Sequence, residues 1–197
     1  ALRTFLRDQG WFDERGIAIP NLAELLDLVA LGTVADVVPL DANNRILTWQ
    51  GMSRIRAGKC RPGIKALLEV ANRDPQKLAA SDLGFALGPR LNAAGRLDDM
   101  SVGVALLLCD NIGEARVLAN ELDALNQTRK EIEQGMQVEA LTLCEKLERS
   151  RDTLPGGLAM YHPEWHQGVV GILASRIKER FHRPVIAFAP AGDGTLK

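Results

Sequence analysis

Apolar positions along the chain recur mostly at steps of three and four, the spacing of helices that bury one face. Leu2, Phe5 and Leu6 open the sequence in this pattern. Asn21 followed by Glu24 has the form of a capping box and predicts a helix over residues 22–31. A second helix is predicted over 43–56, with Gly58 as the left-handed residue just past its end. Pro62 suits a first turn and starts a third helix, to about residue 71. Short helical pieces are expected around 81–87, and Ser101 is expected to cap an apolar run over 102–109.

From residue 112 to about 150 one helical pattern continues without proline. Leu118, Leu122, Leu125, Ile132, Met136, Ala140, Leu143 and Leu147 form its predicted buried stripe. At 1.5 Å per residue such a helix would reach roughly 60 Å, a length typical of connections between domains. Pro155-Gly156-Gly157 is its expected end. Beyond that break, residues 158–161 and 185–189 read as short buried strands, with a helix over 168–181 between them. A strand–helix–strand unit predicts a parallel pair, and a domain boundary is expected near residue 155.

Composition changes this picture little. The 197 residues are 46% hydrophobic but only 5% aromatic, so aliphatic side chains must fill the core. The 24 basic and 25 acidic residues nearly cancel, so net charge names no partner. Cys60, Cys109 and Cys144 form no paired motif; Cys109 and Cys144 sit among leucines, as reduced thiols in helix cores of a cytoplasmic protein would. No apolar run is long enough for a membrane span, and no signal peptide is evident. Neither end resembles a natural terminus, and the chain reads as an internal fragment.

Four places carry candidate chemistry. Asp36 lies between Val34-Ala35 and Val37-Val38, where burial of a carboxylate would demand a partner; it is either a helix or turn cap or one ligand of a metal ion. The stretch Gly88-Pro89-Arg90-Leu91-Asn92-Ala93-Ala94-Gly95-Arg96 offers two guanidiniums and an amide between glycines. That suits phosphate oxygens, and equally a surface turn with salt-bridged arginines. His162-Pro163-Glu164-Trp165-His166-Gln167-Gly168 follows a strand and precedes a helix. Pro163 argues for a polar loop at a site edge and against a zinc-binding pair on one helix face. Arg45, Arg54, Arg56, Lys59, Arg61 and Lys65 occur with no acidic residue over 42–68, as on a phosphate-binding surface or a solvated helix face. Trp49 is either a stacking ring or core. Gly58-Lys59-Cys60 only imitates a nucleotide-binding loop, since Ser53 and Cys60 stand where glycine and Ser or Thr are required.

Three segments together resemble the RecJ group of the DHH phosphoesterase superfamily, 5′ exonucleases specific for single-stranded DNA. Residues 28–40 resemble the last motif of the family's catalytic domain, residues 88–96 its arginine–asparagine motif, and residues 162–176 (HPEWHQGVVGILASR) the opening of its second, DHHA1-type domain. The resemblance implies an α/β fold: a largely helical C-terminal part of a DHH catalytic domain (1–110), a long connecting helix (111–154) and the first strand–helix–strand of a DHHA1-type domain (155–197). It implies that Asp36 ligates one of two Mn²⁺ or Mg²⁺ ions. Arg90 would face the scissile phosphate, with Asn92, Arg96, His162 and His166 near the substrate. Single-stranded DNA is the implied partner, with single-strand-binding protein and a RecQ-type helicase as implied protein partners.

The family's Asp-rich first motif and DHH triplet are missing and are expected upstream of Ala1; its glycine-rich phosphate motif is expected just after Lys197. The fragment alone is therefore expected to be inactive. Alternatives are another enzyme of the superfamily, acting on oligoribonucleotides or cyclic dinucleotides, and a noncatalytic module binding nucleic acid or protein.

Overall fold

The computed structural model describes residues 2–150, 155–192 and 194–197. The chain forms two compact units, Ala1–Gly88 and Pro89–Lys197. It is mostly helical, with one small parallel sheet.

In the first unit, α1 (Leu2–Asp8) and α2 (Trp11–Glu14) precede a 3₁₀ turn, Leu22–Leu25, and α3 (Leu26–Ala35). Asn21 caps the turn, its Oδ1 accepting the Ala23 N–H at 3.2 Å. Glu24 meets the Asn21 side-chain amide at 3.4 Å and not its backbone N–H, so the expected capping box is a one-sided cap. The helix also runs past the predicted residue 31, to Ala35. Asp41 caps α4 (Ala42–Arg56) through the Asn44 N–H at 2.8 Å, and Gly58 takes the left-handed conformation (φ 71°) expected of it. Pro62 opens α5 (Pro62–Val70). The short α6 (Ala80–Asp82) runs into a π-helical turn, Leu83–Leu87, that holds Phe85 outward.

Ile55, Ile64, Leu67, Leu68, Leu83 and Leu87 are fully buried and make the centre of this unit. Each contributes about 1.5–3 kcal/mol by leaving water. Helices α3 and α4 approach so closely that a Cβ on Gly51 would lie 2.0 Å from the Leu26 carbonyl oxygen. The same packing encloses a carboxylate, Asp27, which is 1% exposed. Its oxygens accept the Leu28 and Arg61 backbone N–H groups, each at 2.8 Å, and the Arg61 guanidinium lies 3.5 Å away. Trp49 is 60% exposed, which removes the core reading for that ring.

In the second unit, α7 (Gly88–Leu97), α8 (Ser101–Leu108) and α9 (Ile112–Ser150) precede β1 (Leu158–Tyr161), α10 (Val170–Phe181) and β2 (Val185–Phe188). The strands pair in parallel, Leu158 opposite Val185 and Tyr161 opposite Phe188, as a strand–helix–strand unit dictates. Leu158, Met160, Trp165, Val169, Leu173 and Ile177 form a core with Met136, Ala140 and Cys144 of α9.

Two expectations change here. Ser101 does not cap α8; the Asp99 carboxylate accepts the Ser101 N–H at 2.9 Å, an acidic side chain doing at the helix start what the hydroxyl was expected to do. Cys109 ends α8 in extended backbone and is half-buried, so only Cys144 is a core thiol.

The 39-residue α9 has the predicted span, but its buried line is displaced. Ala115, Ala119, Leu122, Asn126, Glu133, Met136, Ala140 and Cys144 are buried, while Leu118, Leu125, Ile132, Leu143 and Leu147 flank them half-buried. Small and polar residues share this line with Leu122 and Met136, so the helix is buried along a line that its leucine spacing does not mark. The expected end of this helix lies partly outside the described residues.

Candidate functional site

Asp36 ends α3 as its C-cap residue, its backbone N–H donating to Gly32 O at 3.0 Å. The turn that follows is tight. Val37 has φ 54°, a left-handed conformation that costs a β-branched residue about 1–2 kcal/mol. The Asp36 carboxylate is exposed, and so the burial inferred from its apolar neighbours does not occur. It makes no side-chain hydrogen bond or ion pair among the described residues. A helix C-terminus presents carbonyl oxygens, which a carboxylate cannot cap and whose dipole it opposes. The fold thus leaves one hard oxygen ligand projecting beside an apolar depression of about 600 Å³ lined by Val34, Val37, Val38, Leu40 and Phe85.

One carboxylate does not make a metal centre. Among the described residues no three His, Cys, Asp or Glu side chains gather into a group that could hold an ion. The donors of the described residues therefore do not form a two-ion site by themselves, whatever Asp36 contributes to one.

The arginine–asparagine stretch is helical, forming most of α7, and this removes the surface-turn alternative. Asn92 and Arg96, four apart, share one exposed face. Arg90 lies on another: its Nε donates to Asp123 Oδ1 of α9 at 2.7 Å, and its side chain is 14% exposed. The motif thus divides into a salt-bridged arginine that ties α7 to α9 and an exposed amide–guanidinium pair.

The loop before α10 is nonhelical from His162 to His166, as Pro163 predicts, so the two histidines are not stacked on a helix face. His162 Nδ1 accepts the Glu164 N–H at 3.3 Å, and His166 Nδ1 accepts the Gly168 N–H at 3.1 Å. With Nδ1 engaged as an acceptor, each neutral ring carries its proton on Nε2. Glu139 Oε2 stands 3.7 Å from His162 Nδ1, too far for a hydrogen bond, and instead accepts Trp165 Nε1–H at 2.8 Å. The buried Trp165 pins the loop to α9.

Gly168 decides what this loop meets. A Cβ there would lie 2.0 Å from the Arg96 carbonyl oxygen, and Arg96 Nη1 donates back to Gly168 O at 3.3 Å. The structure therefore brings Arg96 together with the His166–Gly168 turn. His162 points instead toward Glu139.

The basic stretch is smaller as a surface than as a sequence. Arg56 clips the Leu78 carbonyl through Nε at 3.0 Å and Nη2 at 2.5 Å, and Arg61 serves Asp27. Arg54 is half-buried, its Nε without a hydrogen-bond partner. Arg45 donates to Leu40 O at 3.2 Å, while Lys59 and Lys65 are exposed. Half of the stretch holds the first unit together.

Four buried polar residues do not figure in the sequence-based expectations: Asp27, Thr48, Asn126 and Glu133. A signal existed for the last two. Asn126, Arg129 and Glu133 sit at helical spacing between apolar stripe residues, where a polar run on a buried line implies a hydrogen-bonded network.

No protein-family model matches the chain. Over all 197 residues it is 98% identical to the single-stranded-DNA-specific exonuclease RecJ of Escherichia coli strain K12, of which it covers 34%. A crystal structure of RecJ in complex with Mg²⁺ from Thermus thermophilus superimposes with a TM-score of 0.73 at 36% identity, over 90% of this chain and 27% of that one. A crystal structure of exonuclease RecJ bound to manganese gives 0.72 at 36% identity, over 90% of this chain and 43% of that one. The chain thus spans about a third of the length of the curated relatives it matches. Along its length the chain is thus similar, in sequence and in fold, to a stretch of longer RecJ exonucleases.

Proposed function

We propose that the chain is part of a metal-dependent 5′→3′ exonuclease that degrades single-stranded DNA to mononucleotides in DNA recombination and repair in the cytoplasm. The observation that carries this reading is the 98% identity over every residue of the chain to a single-stranded-DNA-specific exonuclease. In this reading residues 1–110 belong to a DHH catalytic domain, residues 111–154 connect, and residues 155–197 begin a DHHA1-type domain. Single-strand-binding protein and a RecQ-type helicase remain the protein partners that the family resemblance implies.

Asp36 would donate one ligand to a pair of Mn²⁺ or Mg²⁺ ions whose other ligands lie elsewhere in the full-length protein. Its exposure and lack of an internal partner support that role. Bound ions of this kind supply Lewis-acid stabilisation of the attacked phosphate and the leaving oxygen. This chain's own contribution is to present the carboxylate, to hold arginine forks toward phosphate, and to set the histidine loop beside Arg96. Alone it is proposed to leave DNA intact.

The test is Mn²⁺-dependent release of mononucleotides from 5′-labelled single-stranded DNA by the full-length protein, with and without Asp36→Ala. The expected result is a loss of at least about 100-fold in a variant that melts like the parent, because the side chain supports no internal contact. Full activity in Asp36→Ala would make the residue a bystander and withdraw its metal role.

A further inference from the structure

A cavity of about 360 Å³ in the second unit is lined by Arg96, Gly171, Ile172, Ser175 and Arg176. Its lining holds two guanidiniums and no carboxylate. Like charges brought to one depression repel unless an anion joins them, and planar forks match phosphate oxygens in two directions at once.

Arg176 is held in place from behind. Its Nε donates to Glu133 Oε1 at 3.2 Å. Glu133 is 9% exposed, and its second oxygen is taken by Arg129, whose Nη2 also donates to the buried Asn126 Oδ1 at 2.8 Å. Glu179 reaches Arg176 Nη1 only at 3.8 Å and is largely in solvent, where such a pair is weak. A buried carboxylate between two arginines is seldom more stable than an apolar replacement. It does fix orientation: with Arg129 neutralising Glu133, the positive charge of Arg176 is uncompensated within the buried network.

We infer that Arg96 and Arg176 form a seat for one backbone phosphate of a single nucleic-acid strand, with Glu133 a positioning residue that acts through Arg176. This rests on the proposed function and deepens it. Arg96 is anchored by its contact with Gly168 and Arg176 by Glu133, so the two forks face one cavity from different helices. Ser175 completes the lining, but its hydroxyl donates to Gly171 O at 3.1 Å, so the two guanidiniums alone supply donors to the phosphate.

The experiment measures affinity of the full-length protein for a fluorescent single-stranded oligonucleotide in EDTA, across a salt series, for the parent, Arg96→Gln, Arg176→Gln and the double variant. Each single change is expected to weaken binding about tenfold or more. Each should flatten the log–log salt slope by about 0.7, the signature of one strand phosphate left unneutralised. The double variant should fall little further, because both forks serve the same phosphate. Glu133→Gln is expected to weaken binding about threefold or more in the parent and not at all on the Arg176→Gln background, a pattern that a merely structural role would not give.

Unchanged affinity and slope in Arg176→Gln would overturn the seat, and two additive slope losses would overturn the sharing of one phosphate. Equal oligonucleotide binding by parent and Arg176→Gln, with inorganic phosphate protecting only the parent against heat, would also overturn it, in favour of a free-anion site. A parent that neither binds nor degrades single strands would instead remove the proposed function, so the two failures are distinguishable.

Discussion

The two compact units solve the same problem, close approach of backbone segments, with different materials. In the first unit α3 and α4 meet at Gly51, and the surrounding core is aliphatic except for Asp27 and its hydrogen bonds. In the second, α7 meets the turn before α10 at Gly168, and α9 meets α10 partly through the Asn126–Arg129–Glu133–Arg176 network. The first unit also shows more large apolar residues to solvent, among them Leu22, Val37, Ile46, Trp49 and Phe85. Where such residues are contiguous they mark contact with further polypeptide or a ligand, whereas orientation-sensitive arginines suit the recognition of anions. The contrast teaches that the first unit spends its polar groups on its own closure, and the second directs some of its own outward.

The largest expected effect would test closure itself. Gly51→Ala puts a methyl 2.0 Å from the Leu26 oxygen and 2.6 Å from Ala30 Cβ, between two helices that cannot yield. A loss of about 3 kcal/mol or more is expected in denaturant unfolding. Gly168→Ala meets the Arg96 carbonyl at 2.0 Å, but in a turn that can shift, so about 2 kcal/mol is expected together with weaker single-strand binding. If Gly168→Ala proved the costlier of the two, the contrast between a rigid helix crossing and a yielding turn would be wrong.

A smaller effect is expected from Asp27→Ala, which strands two backbone N–H groups and leaves Arg61 facing apolar surroundings. Arg61 is 22% exposed and keeps some access to water, so about 2–3 kcal/mol should be lost, with no change in the salt slope of DNA binding. A flattened slope would show that Arg61 works outward after all.

The smallest effect compares one thiol from each unit. Burial, and then the nearby Asp27 charge, pushes the Cys60 thiol above its usual range; burial, and then Glu148, does the same for Cys144. Both pKa values are raised on folding, so both thiols favour the folded state below the unfolded thiol pKa and lose that contribution as pH rises through the folded value. Thermal melts should therefore fall off above about pH 8.5, less steeply in Cys144→Ala. A disulfide reagent should label the partly exposed Cys60 before the enclosed Cys144; the reverse order would mean that the second core opens first.

Much of the fold was legible. Gly58 past α4, Pro62 at the start of α5, the 39-residue span of α9 and the parallel strand pair follow from local rules of capping, propensity and connection. The candidate site was legible only in part. The expectation that Asp36 is buried assumed that apolar neighbours imply burial, which fails when the chain turns outward at Val37. The Gly88–Arg96 stretch reads in sequence as a phosphate site or a surface turn and not as a helix, because its glycines weaken helix propensity without forbidding it. The basic run overstated a surface because charge counts cannot separate an arginine that clips a carbonyl from one that faces water.

The sequence by itself determined which segments are helices and strands, where most of them start and stop, and which family of chains this one resembles. These depend on neighbours within a few residues, or on the order of motifs along the chain. Tertiary structure alone decided which face of α9 is buried, which arginines are consumed by carbonyls and carboxylates, and that Arg96 and Arg176 line one cavity. Those outcomes depend on approach distances between segments tens of residues apart, set by steric fits such as Gly168 against Arg96, and no local pattern encodes them.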